Sequence, residues 1–261
     1  MPRLQGRTAW VTGGGRGIGR AIALEFAREG AQVAVSSRTR SELDAVAAEI
    51  DALGGKGFGV ICDALSFEGI RAAAANIARD LGPIDILVNN AGGGTGVPNA
   101  DGFSPEELDD ALFIANVDLN LFSAYRATKA VLPGMLERGH GRIINIGSGY
   151  AKRSGGAPAY TAAKHGLIGL TRAMAAQVAT RGVTINCLCP GWTNTRLVNL
   201  DAMAKARNTD VETEHARIAS ENLQNRVLEP EELGPMAALL AADESAGITG
   251  QVISVDGGYK V

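Results

Sequence analysis

The sequence predicts a doubly wound α/β fold, a mostly parallel seven-stranded sheet with helices on both faces, and three observations predict it. Short β-branched runs alternate with longer helical patterns along the whole chain, the order that makes parallel strands joined by crossover helices. A glycine-rich turn, Thr12-Gly13-Gly14-Gly15-Arg16-Gly17-Ile18-Gly19, joins the first strand-like run to the first helical run. The chain holds 34 glycines in 261 residues and no linker, repeat or low-complexity stretch, as expected of one domain over residues 1–261 with many tight turns.

Thr8–Val11 reads as the first strand and Ile18–Ala27 as an amphipathic helix. Val33–Ser36 is the second strand, and Ser41–Leu53 a helix with Ser41 as its expected N-cap. Gly57–Ile61 and Phe67–Leu81 repeat the strand–helix unit, and Ile84–Val88 is a fourth, buried strand. The stretch from Pro105 to Arg138 is helical and expected to bend or break midway. Arg142–Ile146 is the fifth strand, Tyr160–Thr180 an alanine-rich helix and Val183–Cys189 the sixth strand. Pro230–Ala242 is a helix opened by proline, and Gln251–Val255 the last strand. Residues 193–226 read as an irregular polar insertion leaving the carboxyl edge of the sheet. Ligands of open α/β sheets sit at that edge, so the insertion is an expected lid.

Bulk properties exclude several classes. A net charge of −3 and a pI near 5.7 leave no basic face for nucleic acid. No apolar run reaches the roughly 18 residues a membrane span needs. Met1–Gly6 carries no signal-peptide core, so a cytoplasmic location is expected. Cys62, Cys187 and Cys189 are too few for a disulfide framework. Cys187 and Cys189 share a strand face, and read either as a metal or redox pair or as two small wall residues. His140, His165 and His215 match no metal spacing.

The glycine turn by itself reads either as a plain glycine-rich turn or as a phosphate site. Gly13 and Gly17 let the backbone turn and approach a pyrophosphate, and Gly19 lets the helix pack against the sheet. The spacing is Gly13-x-x-x-Gly17-x-Gly19, not the common GxGxxG. Tyr160 and Lys164 lie one helical turn apart on one face. A lysine ammonium favours the phenolate whereas burial opposes it, so the cation has to prevail for Tyr160 to exchange protons near neutrality. Ser148 ends the fifth strand, where its hydroxyl can donate to a carbonyl gaining negative charge.

With these residues the chain resembles the short-chain dehydrogenase/reductases, single-domain enzymes of the Rossmann type. The resemblance rests on the glycine turn, Asn89-Asn90-Ala91-Gly92, Tyr160-x-x-x-Lys164, Pro190-Gly191-Trp192-Thr193-Asn194-Thr195 and the closing Ile253–Gly258, in order along nearly the whole chain. It implies that Tyr160 is the general acid of carbonyl reduction and the base of alcohol oxidation. It implies that Lys164 lowers the Tyr160 pKa and holds the cofactor ribose, that Ser148 positions the carbonyl, and that Asn120 holds a water linking Lys164 to solvent. Gly13, Gly15, Arg16, Gly17, Ile18, Gly19, Asn90, Ala91, Gly92, Pro190, Gly191, Thr193 and Thr195 would line the cofactor, with Asp63 at the adenine. The family spaces its serine from the tyrosine one residue wider, a position held here by Gly147. Ser148 is therefore taken as the serine, with a shortened loop over Gly149–Ala159.

An NAD enzyme of this fold has an acid at the end of strand two. Here Ser37 and Arg38 stand there, Arg16 adds a charge from the glycine turn, and no carboxylate follows until Glu42. Paired guanidiniums suit a 2′-phosphate, so NADP(H) is the expected cofactor. The expected activity is reduction of a ketone or a 3-oxoacyl substrate. The alternatives are oxidation of a secondary alcohol, sugar or hydroxysteroid, and a catalytically silent nucleotide-binding regulator. The resemblance also implies a homotetramer pairing through two long helices and the last strand. In the insertion, Leu197, Leu200 and Met203 are expected to wall a pocket or form a small core of their own, and His215 and Arg217 to meet an acid or to be solvated.

Overall fold

The computed structural model describes residues 2–93 and 110–260. Its seven strands are β1 (Thr8–Thr12), β2 (Gln32–Ser37), β3 (Lys56–Ile61), β4 (Ile86–Asn89), β5 (Gly141–Ile146), β6 (Val183–Pro190) and β7 (Val252–Val255). They form one sheet in the order β3-β2-β1-β4-β5-β6-β7. Every pairing between neighbours is parallel. The order reverses between β1 and β4, which opens the crevice in which such sheets bind ligands.

Alternation along the strands feeds two cores. Ala9, Val11, Val33, Val35, Ile86, Val88, Ile144 and Ile146 face one layer, with Ile22 and Phe26 of α1 (Gly17–Arg28) and Leu240 of α9 (Gly234–Ala241). The intervening residues Trp10, Ala34, Leu87 and Ile143 face the other. There they meet α3 (Phe67–Asp80), α5 (Ser123–Arg138) and the end of α6 (Pro158–Val178) through Ile77, Val131, Met135 and Val178. Strands buried on both faces are nearly continuous apolar runs for this reason. The buried Trp10 indole keeps its hydrogen bond, donating to Ser36 Oγ at 2.9 Å.

Several sequence expectations are corrected at element ends. Helix α2 (Arg40–Ala52) is entered at Thr39, which makes no side-chain cap, and Ser41 lies inside it. The start of the helix expected from Pro105 lies outside the described residues. The break expected midway is real: α4 (Asp110–Val117) passes through a π turn at Asp118–Phe122 into α5, a local widening frequent at functional sites. The helix expected over 230–242 divides into a 3₁₀ turn, Pro230–Leu233, and α9. Pro235 restarts it, because proline cannot donate to the preceding turn but fits a first one. The insertion is not irregular. It holds α7 (Leu200–Ala206), capped by Asn199 accepting from Ala202 N at 3.0 Å, and α8 (Val211–Ala219), capped by Asp210 accepting from Thr213 N at 2.7 Å. Both caps are legible residue types at N-cap positions. Arg217 is not solvated either: it joins the buried Glu214 at 2.7 Å and Glu221 at 2.6 Å. His215 is exposed.

Candidate active site

Four strand ends converge on the crevice. The turn after β1 is braced from β4: Thr12 Oγ1 accepts the N–H groups of Asn90 and Ala91, both at 3.0 Å. Asn90 Nδ2 returns bonds to the carbonyls of Thr12 at 3.1 Å and Gly13 at 3.0 Å. Gly13 and Gly17 adopt φ of +63° and +53°, open to glycine at little cost. A Cβ at Gly19 would lie 2.4 Å from Asn90 Nδ2 and 2.5 Å from the Gly13 carbonyl, so only glycine lets α1 start this close. Arg16, the residue before α1, is extended and makes no side-chain cap. The first N–H groups of α1 are thus left for an anion. Ile18 anchors that turn on the first core. This geometry fits a dinucleotide pyrophosphate.

The expected catalytic pair stands on α6, which starts with Pro158 and carries Tyr160 in its first turn. Lys164 is 4 % exposed; its Nζ donates to the Ile146 carbonyl at 2.8 Å and lies 5.6 Å from the Tyr160 ring centre. Ser148 follows β5; its hydroxyl accepts Tyr150 N–H at 3.2 Å and faces Tyr160 closely enough to pull the phenol's proton affinity down. Burial pushes the Tyr160 phenol up to about 12 against the pull of Ser148, and pushes Lys164 down to about 8. The expectation that the lysine lowers the tyrosine is therefore not met in the free protein. The ammonium is itself desolvated and tied to Ile146, so burial dominates both groups.

Gly147 cannot replace Ser148. A Cβ at Gly147 would lie 2.7 Å from Cys189 Sγ and 2.8 Å from Cys187 Sγ, so a side chain there points into the core. The two cysteines are free, fully buried and 3.8 Å apart at sulfur. Among the described residues, no group of three or more His, Cys, Asp or Glu side chains could hold a metal.

Asn120 lies in the π turn and is 1 % exposed. Its Oδ1 accepts Gly93 N–H at 2.9 Å, and its Nδ2 donates to the carbonyls of Gly93 at 2.9 Å and Asn116 at 3.0 Å. The side chain thus grips the segment after β4, and its amide is engaged by protein on both ends. A Cβ at Gly92 would lie 2.7 Å from Asn120 Oδ1 and 3.5 Å from Lys164 Nζ, so Gly92 threads between them. Sequence reasoning missed the support beneath. Asn89 and Asn145 are paired across β4 and β5, and Asn89 Nδ2 donates to Asn145 Oδ1 at 2.8 Å and Thr128 Oγ1 at 3.0 Å. Asn145 Nδ2 donates to Thr171 Oγ1 on α6 at 2.8 Å. The readable signal was an asparagine at an inward position of each of two apolar strands.

The remaining expected cofactor residues spread along the same edge. Ser37 ends β2, Arg38 follows it exposed, and Asp63 is exposed beyond β3 with its carboxylate accepting Leu65 N–H at 3.0 Å. Pro190 ends β6, and Gly191 passes so close to Asp256 that a Cβ would lie 2.7 Å from its carbonyl. Thr193 is buried, its hydroxyl donating to the Gly191 carbonyl at 3.0 Å, whereas the Thr195 methyl stands 3.3 Å from where a Gly17 Cβ would be. Glu42 also folds onto this corner and pairs with Arg16 at 3.3 Å, which corrects the reading of a corner without an acid. An aromatic group missed in the sequence lies beside the pair: Tyr150 meets Trp192 and Tyr259 edge-on, with ring centres 6.1 and 5.9 Å away. Trp192 Nε1 donates to Glu221 at 2.9 Å, which ties this wall to the insertion.

Comparison with known proteins agrees with this geometry. The sequence profile described as short chain dehydrogenase matches residues 7–205. The chain is 38 % identical to the 3-oxoacyl-(acyl-carrier-protein) reductase FabG of Pseudomonas aeruginosa, covering 98 % of each. It is 36 % identical to the D-beta-hydroxybutyrate dehydrogenase of Cupriavidus necator, again covering 98 % of each. Among solved structures, a variant of actinorhodin polyketide ketoreductase with NADPH superposes with a TM-score of 0.90 at 36 % identity, covering 97 % of both chains.

Proposed function

We propose that this chain, which belongs to the short-chain dehydrogenase family, is an NADP(H)-dependent reductase of ketones, with 3-oxoacyl or general ketone substrates favoured. The observation that carries the reading is Tyr160 facing Ser148 with the buried Lys164 5.6 Å from its ring centre, beside a glycine turn shaped for pyrophosphate. When bound, the nicotinamide dinucleotide supplies the hydride in reduction and accepts it in oxidation.

The residues of the chain perform the rest. Gly13, Gly15, Arg16, Gly17, Ile18 and Gly19 hold the pyrophosphate, Ser37 and Arg38 the adenosine ribose and its phosphate, and Asp63 the adenine. Asn90, Ala91, Gly92, Pro190, Gly191, Thr193 and Thr195 flank the nicotinamide side. The Ser148 hydroxyl donates to the carbonyl oxygen and fixes its direction. Tyr160 Oη gives its proton to that oxygen as negative charge grows there, and the Lys164 ammonium stabilises the phenolate left behind. Asn120 keeps Gly93 and Gly92 in place beside Lys164. Oxidation runs the same steps backward, and the resemblance to D-beta-hydroxybutyrate dehydrogenase supports that second direction.

The substrate side is bounded by Tyr150 and Trp192, with the 193–226 segment as its lid. We take the protein to work in the cytoplasm as a homotetramer. No helix among the described residues is long and apolar enough to cross a membrane. The exposed Ile114, Phe122 and Tyr125 give apolar surface for pairing, and light scattering at the monomer mass would refute the tetramer.

The test is oxidation of NADPH and NADH against ketones, aldehydes, 3-oxoacyl thioesters and keto-sugars. Turnover dominated by NADPH and absent in Tyr160→Phe is expected. Turnover that survives Tyr160→Phe refutes the site. Arg38→Ala should weaken NADPH by about 10- to 100-fold, the worth of a charge-assisted hydrogen bond, with NADH little changed; equal losses refute the cofactor assignment.

A further inference from the structure

We infer that Arg196 is a specificity residue for the 2′-phosphate of the dinucleotide, and that Glu42 competes with that phosphate for it. The inference rests on the NADP(H) reading above. Glu42 lies in the first turn of α2 yet reaches back to the glycine turn. A Cβ at Gly15 would lie 3.3 Å from Glu42 Oε2 and 3.2 Å from Ser37 Oγ. The carboxylate therefore stands at the end of β2, where this fold reads the adenosine ribose.

Two guanidiniums converge on one of its oxygens. Arg16 Nη1 is 3.3 Å and Arg196 Nη1 is 3.1 Å from Glu42 Oε1. Arg16 comes from the glycine turn, but Arg196 comes from the segment after β6, 154 residues away in sequence from Glu42. Thr195, immediately before it, stands beside the glycine turn, its methyl 3.3 Å from where a Gly17 Cβ would be. The 193–226 segment thus brings a positive charge across the mouth of the crevice to the ribose corner. One carboxylate faces two guanidiniums there, and Arg38 adds a third at the end of β2.

A phosphate carries more charge than a carboxylate and offers three acceptor oxygens, a better match for forked guanidinium donors. It would draw Arg196 and Arg16 from Glu42, and the displaced carboxylate would then oppose it by like charge. A 2′-hydroxyl makes no comparable claim on either arginine. Arg196 therefore favours the phosphorylated dinucleotide, Glu42 works against it, and phosphate recognition fastens the 193–226 segment over the crevice.

Calorimetric titration of the full-length wild type, Arg196→Ala and Glu42→Gln with NADPH, NADH, 2′,5′-ADP and 5′-AMP tests this. Arg196 is exposed and Glu42 partly so, and thermal melts check that the variants fold. Arg196→Ala should weaken NADPH and 2′,5′-ADP by about 5- to 10-fold, less than a buried charge-assisted bond because the pair is solvated, and leave NADH and 5′-AMP unchanged. Glu42→Gln should tighten the two phosphorylated ligands only. Equal losses for phosphorylated and unphosphorylated ligands in Arg196→Ala, or no loss, overturn the inference. Weaker NADH binding in Glu42→Gln overturns it too, because Glu42 would then be the acceptor of a 2′-hydroxyl. A wild type that binds NADH more tightly than NADPH would refute the NADP(H) reading separately. The Arg196 effect is still read from the ratio of 2′,5′-ADP to 5′-AMP.

Discussion

Replacing Gly147 by alanine tests how the core positions the chemistry. The added Cβ would lie 2.7 Å from Cys189 Sγ and 2.8 Å from Cys187 Sγ, where ordinary contact begins at 3.4 Å. Neither sulfur has room to retreat, since both are fully buried on one face of β6. The Gly147 backbone cannot swing away freely, because its N–H donates to the Leu188 carbonyl at 2.7 Å. Overpacking of this kind costs about 1–3 kcal/mol, a fall of about 3–10 °C in Tm for a chain of this size.

Gly147 also lies between Ile146, whose carbonyl holds Lys164, and Ser148. A shift of several tenths of an ångström reaches both groups, and kcat should fall by about tenfold or more. The rescue is specific: in a Cys187→Ala, Cys189→Ala background the sulfurs are gone, and Gly147→Ala should be nearly neutral. Urea unfolding of the four proteins in this cycle should give a coupling of about 1–3 kcal/mol, with kcat recovering in parallel. An equal loss of stability in both backgrounds would refute the packing argument and the assignment of Ser148 that leans on it.

Three further outcomes are expected. Lys164 is lowered from 10.5 to about 8, so the unfolded chain binds more protons between those values and stability rises with pH across that window. The rise stops where Tyr160, raised from 10.0 to about 12, reverses the sign. The wild type minus Lys164→Met difference in urea stability should show this gain above pH about 8, and a flat difference would refute the desolvated lysine. In carbonyl reduction, kcat/KM should fall above pH about 8 as the Tyr160–Lys164 pair loses its first proton, while alcohol oxidation, which needs a phenolate beside the ammonium, climbs over the same step; parallel profiles for the two directions would refute the shared pair. Asn145→Ala leaves the Asn89 amide with its Thr128 bond alone and removes the bond that the Thr171 hydroxyl accepts, and should cost about 1–3 kcal/mol in urea unfolding; a loss under about 0.5 kcal/mol would show that this network does not anchor α6.

Much of this protein was legible in its sequence because the relevant physics is local. A glycine is needed where φ is positive, as at Gly13 and Gly17, whatever lies further along the chain. Tyr160 and Lys164 face the same way because helical periodicity puts residues four apart together. Strand alternation sorted Val11 and Trp10 to opposite cores. The ordered helices of the insertion were also within reach, through Asn199 and Asp210 as caps, but its polarity masked them.

Tertiary structure decided what depends on residues far apart in the chain. Glu42 meets Arg196, Gly147 meets the cysteine pair, and Asn89 meets Asn145 and, through it, Thr171 only after the sheet has closed. The proton affinities of Tyr160 and Lys164 belong to the same class. Their spacing put them together, but burial set the direction of both shifts. Desolvation is a property of everything packed around a group, whereas a turn or a helical face is fixed by a few neighbouring residues.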